Sequence, residues 1–67
     1  MKPNRVREIR ESLVMSKTEL ARKAGISPLT VDRIEKGALC RMATMRKVIL
    51  GLGLKLAERE QVFPDQD

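Results

Sequence analysis

Residues 16–37, SKTELARKAGISPLTVDRIEKG, constrain this chain more than any other stretch. Ser16-Lys17-Thr18-Glu19 has the form of a capping box, in which the Ser hydroxyl accepts from the amide three residues on and the Glu reaches back. It predicts a helix with Leu20, Ala21 and Ala24 on its inner face. Gly25 stops that helix, because glycine adopts the left-handed conformation that closes helices. Ile26 fills the corner. Ser27-Pro28 restarts the chain, with Ser as the cap and Pro at the first helical position, where no N–H is needed. Val31 and Ile34 mark the buried side of this second helix. Pro28, Leu29, Asp32, Arg33 and Lys36 share the opposite face, and Lys36-Gly37 ends it.

The flanks read as helix too. Asn4 is the expected cap of a first helix, with Val6, Ile9 and Leu13 as one apolar stripe and Arg10 at its edge. After a loop, ALCRMA, a fourth helix is expected over roughly 43–51, with Met45, Val48, Ile49 and Leu52 inward and Arg46, Lys47 and Leu50 outward. Gly53 breaks it. A last helix is expected over roughly 55–62, ending at Phe63-Pro64. No strand pattern or repeat is present. The expected fold is therefore all-α, a compact bundle of about five short helices. Residues 1–67 read as a single domain, with the helix-turn-helix at 17–37 and a disordered tail at 64–67.

A chain of 67 residues buries only about 60% of its unfolded surface, so its core is small. Phe63 is the sole aromatic, which leaves the core to aliphatic side chains. Charge is unevenly spread. Residues 1–55 hold thirteen basic and five acidic side chains, and residues 56–67 hold one and four. A basic body points to a polyanionic partner. Cys40 is the only cysteine and histidine is absent, so no intrachain disulfide or metal site is expected, and a reducing, cytoplasmic setting fits. The longest apolar run, VILGLGL, is far short of the ~20 residues that span a bilayer, and the first ten residues lack the apolar core of a signal peptide.

Two short helices meeting at a glycine corner form a helix-turn-helix, in which the first braces and the second offers its outer face to the major groove. The pattern Leu20-Ala21, Gly25, Ile26-Ser27, Val31, Ile34, Glu35-x-Gly37 resembles the helix-turn-helix of the phage repressor/Cro type, the XRE family. The likeness covers about residues 4–56. It implies a lambda/434 repressor-like DNA-binding domain and a cytoplasmic, nucleoid-associated transcriptional regulator, most simply a repressor. It also implies a structural ion pair between Arg10 and Glu35, joining the first helix to the third. The chain departs from the family at Lys17, at Pro28 and Leu29, and at Met42. Relatives carry Gln at the first, Gln or Ser at the next two and often Pro at the last. Gln-to-adenine readout is thus replaced, and Leu29 is suited to a thymine methyl.

Arg33 is the first candidate for base readout, because Arg to guanine is the commonest specific contact; a salt bridge to Asp32 is the alternative. Asp32 either accepts from cytosine, orients a neighbouring Arg, or excludes wrong sequences. Ser27 and Thr30 cap the helix or bond phosphate and base edges. Lys17, Lys36, Arg41, Arg46 and Lys47 are candidate phosphate contacts around one exposed face. Leu50, Leu54, Leu56, Val62 and Phe63 exceed what a four-helix core needs. They are either covered by the last helix or form a symmetric dimer contact. Expected partners are a double-stranded DNA operator and a second copy of the chain, with neither cofactor nor catalysis. Two other readings stay open: the antitoxin of a toxin–antitoxin pair, and a protein-interaction module that no longer binds DNA.

Overall fold

The computed structural model describes residues 4–64; the expected disorder of the tail falls largely on residues 65–67, outside that range. Among the described residues there are five α-helices and no strand: α1 (Val6–Ser12), α2 (Lys17–Ala24), α3 (Pro28–Glu35), α4 (Met42–Gly51) and α5 (Arg59–Val62). A turn of 3-10 helix, Leu56–Glu58, precedes α5.

The N-cap of α1 is Arg5 rather than Asn4, but Asn4 ties the helix down from one residue further out. Its side-chain oxygen accepts from the Val6 amide at 3.0 Å, and its side-chain nitrogen donates to the Ile34 carbonyl at 2.8 Å. Val6 is fully buried and Ile9 packs on the core. Leu13 does not complete the stripe. The helix stops at Ser12, and Leu13 turns outward at 47% exposure. Val14 follows with φ 53°, the one non-glycine residue with positive φ among those described. That reversal returns Met15 to the core.

Ser16 caps α2 by accepting from the Glu19 amide at 3.0 Å. Glu19 does not reach back as a full capping box requires; its carboxylate lies 3.8 Å from Lys23 Nζ. Leu20, Ala21 and Ala24 are buried. Gly25 has φ 75°, and both its amide and that of Ile26 donate to the Ala21 carbonyl, at 2.8 and 2.9 Å. Ser27 then caps α3 through the Thr30 amide at 3.1 Å, with Pro28 at the first helical position.

Helix α2 is the hub and packs on both α3 and α4. Its close approach to α4 needs Gly51. A Cβ there would lie 3.0 Å from Ala24 Cβ and 3.1 Å from the Ala24 nitrogen. Met45, Val48, Ile49 and Leu52 face inward, while Arg46, Lys47 and Leu50 are exposed. The chain's last segment settles one alternative left open by the sequence. Val62 and Phe63 are core residues, 0% and 1% exposed, and the partly buried Leu54 packs against the core. Burying such a side chain contributes about 1.5–3 kcal/mol. The Arg5 amide donates to the Val62 carbonyl at 2.8 Å, so α5 closes against the start of α1. Leu50 and Leu56 remain exposed, at 55% and 44%.

Candidate nucleic-acid interface

The Gly25 corner leaves one side of α3 uncovered. Val31 and Ile34 hold the other side in the core, so the helical repeat turns Leu29, Arg33 and Lys36 outward, with Leu29 at 58% exposure. Pro28 is exposed at the start of this face, and Asp32 is half-buried beside it. Ser27 is occupied by its capping role, and its hydroxyl lies 2.8 Å from that of Thr30.

Asp32 does not pair with Arg33. Its Oδ1 accepts from Lys17 Nζ at 2.6 Å, and its Oδ2 stands 3.1 Å from Lys36 Nζ. Those two partners hold the Asp32 carboxyl below the ordinary carboxylate range, the Lys17 hydrogen bond contributing most. The three side chains bridge the start of α2, the middle of α3 and the turn after it.

Arg33 lies on the next part of the face and forms no ion pair among the described residues. It shares a shallow depression with Thr30, Leu39, Arg41 and Thr44. The loop that shapes this depression is pinned. The Gly37 and Ala38 amides donate to the carbonyls of Ile34 and Arg33, both at 3.0 Å, and Gly37 takes φ 98°. Cys40 packs against the core, and burial pushes its thiol pKa up. Leu39 projects from between these anchors at 87% exposure. The sequence alone does not mark Leu39 or Thr44, since neither carries a charge or a pattern; only the folded loop sets them beside Arg33 and Arg41.

Beneath this face lies the pair of Arg10 and Glu35. Arg10 Nε donates to Glu35 Oε2 at 2.6 Å and Nη2 to Oε1 at 3.2 Å, while Nη1 donates to the Met15 carbonyl at 2.7 Å. The two side chains are 9% and 3% exposed. The Glu35 hydrogen bonds raise the Arg10 pKa despite its burial. The planar fork of Arg meets the carboxylate two-pronged, which fixes the angle between α1 and α3.

Neither Arg46 nor Lys47 lines the depression that holds Arg33 and Arg41. Arg46 lines a separate apolar recess with Met42, Met45, Ile49, Leu56 and Arg59, between α4 and the last segment. Lys47 is exposed on α4 and forms no ion pair among the described residues. The described residues contain no cluster of three or more His, Cys, Asp or Glu side chains able to hold a metal, and no helix long and apolar enough to cross a membrane.

A comparison with protein-family models matches residues 6–59 to a model described as Helix-turn-helix. Searches of the curated proteins and of the solved structures returned no match. The matched span takes in α1 to α4, the 3-10 turn and the first residue of α5, so it covers the Gly25 corner and the face above it. The chain belongs to the Cro/C1-type helix-turn-helix family, the XRE family of DNA-binding transcription regulators.

Proposed function

We propose that the chain is a sequence-specific binder of double-stranded DNA that represses transcription by occluding polymerase, with α3 seated in the major groove. The observation that carries this reading is the outer face of α3. It presents an arginine without an ion pair, between a lysine–aspartate cluster on one side and Arg41 on the other. Arg33 reads a base edge, guanine being the geometric match, for about 1–3 kcal/mol of discrimination. Leu29 meets a thymine methyl. Lys17, Lys36 and Arg41 grip phosphates flanking the groove, and Arg46 and Lys47 serve at its margin. Ser27 and Thr30 set the start of α3 and so the reach of its first side chains. Residues 17–37 are the helix-turn-helix within one domain, and the work is done where the chromosome lies, in the cytoplasm.

A second copy belongs to this reading. The structure measures 26 × 22 × 22 Å, whereas half-sites one duplex turn apart lie about 34 Å from each other. One copy cannot read both. Exposed Met42 and Leu56, beside the recess of α4, offer apolar surface for a two-fold contact.

The test is selection of bound fragments from the source genome, then binding of the enriched sequence and a scrambled one at two salt concentrations. A two-fold symmetric site preferred at both salts is the expected result. Equal and steeply salt-dependent binding to both reduces the function to phosphate gripping. Binding to neither favours a protein-interaction module.

A further inference from the structure

The cations around α3 fall into two states. Arg33 and Arg41 form no ion pair among the described residues, whereas Lys17 and Lys36 share one carboxylate. Asp32 is the acidic residue of α3 with an accessible carboxylate, 27% exposed; the other, Glu35, is turned inward on Arg10 at 3%. Each Asp32 oxygen takes one ammonium, at 2.6 and 3.1 Å. A carboxylate between two lysines stands where a phosphate would otherwise stand.

We infer that Asp32 is an internal competitor for DNA phosphate, a positioning residue that holds Lys17 and Lys36 away from the backbone of sequences that do not fit. The role rests on the DNA-binding reading above. Sequence-independent affinity grows with the number of cations free to displace counterions from phosphates. With both lysines engaged, a loosely docked duplex gains from the arginines but little from the lysines, whose charge the Asp32 carboxylate partly offsets. An ionised carboxylate has about four acceptor positions, and the lysines use two. A cytosine amine in the major groove can satisfy it, while the acceptor edge of guanine repels it. On a fitting sequence the amine takes one of the open acceptor positions, the face seats closely, and the lysines pass to the phosphates this brings within reach. On any other sequence the lysines stay where they are. Asp32 therefore lowers affinity for random DNA more than for the operator.

The test compares the full chain with its Asp32→Asn and Asp32→Glu variants. Each is titrated with a random-sequence duplex and with the duplex enriched from the genome, across a salt series. Thermal melts establish that both variants fold, as expected for a half-exposed position. Asp32→Asn is expected to bind the random duplex about tenfold tighter, with a log–log salt slope steeper by about one to two, one per released lysine. Its gain on the enriched duplex stays under about threefold, so discrimination falls, and Asp32→Glu restores it. Unchanged affinity and slope on random DNA overturn the inference, as does an equal gain on both duplexes. A wild-type chain that binds neither duplex overturns the DNA-binding reading itself, and this inference with it.

Discussion

Val14 carries a β-branched side chain in the left-handed region, at φ 53° and 91% exposure. An L-residue there costs roughly 1–2 kcal/mol, and so exposed a side chain returns little packing. Val14→Gly is therefore expected to stabilise the fold by about 1 kcal/mol, raising the melting temperature by about 4–8 °C. Arg10 is the opposite case. Removing it as Arg10→Ala leaves the Glu35 carboxylate buried without its partner and also frees the Met15 carbonyl. The expected loss is about 3–5 kcal/mol, close to the whole stability of a domain this small, so the variant should lack a cooperative melt by circular dichroism. Replacing both partners, Arg10→Met with Glu35→Leu, is expected to recover most of the loss. Caps and corners at this scale were legible in the sequence because Ser16, Gly25, Ser27 and Pro28 act on their own backbones. Val14 was not, since its strain is imposed by the return of Met15 to the core. Nor were the partners of Asp32. Its neighbour Arg33 suggested a pair, but the helix turns that side chain toward the loop, and Lys17 arrives from α2.

Between elements, the α2–α4 contact depends on the absence of one methyl group. Gly51→Ala adds helix propensity, worth about 1 kcal/mol, but places a Cβ 3.0 Å from Ala24 Cβ and against the α2 backbone. Backbone yields less readily than a side chain, so a net loss of about 1–2 kcal/mol is expected in a denaturant melt. The joint between α2 and α3 has a pH signature. Asp32 has a folded pKa below its ordinary value, so the unfolded chain binds more protons between the two. Its contribution is fully present above the usual carboxylate pKa of about 3.9 and is lost as pH falls through the lower folded value. Wild type should thus melt above Asp32→Asn at neutral pH, with the gap closing in acid. Helices α1 to α4 were predictable to within a residue or two from apolar spacing and punctuation. The direction of Leu13 was not, because Leu13 continues the stripe by its periodicity while the turn at Val14 ends the helix at Ser12 and turns Leu13 outward.

For the whole molecule, closure comes from the final segment. Val62 and Phe63 are buried and Val62 receives the Arg5 amide, so the two ends of the described chain hold each other. Phe63→Ala is expected to cost about 3–5 kcal/mol and to leave most of the chain unfolded at 37 °C, as judged by near-absence of a melting transition. From the sequence, these residues were equally suited to a dimer contact, because periodicity shows that a face is apolar and not what covers it. The basic body was legible, but its division was not: charge counting groups Arg46 and Lys47 with Arg33, while the fold gives Arg46 to the α5 recess. In the proposed complex α3 reads sequence, and Arg33 does the reading. The most direct measurement is the affinity ratio between enriched and scrambled duplexes for wild type and Arg33→Ala. Arg33→Ala should melt like wild type and weaken only modestly on the scrambled duplex, with a salt slope shallower by about one. On the enriched duplex it should lose about 1–3 kcal/mol more than on the scrambled one, so that the ratio drops by roughly five- to a hundredfold. An Arg33→Ala protein that keeps the full wild-type ratio would mean that Arg33 does not read the operator.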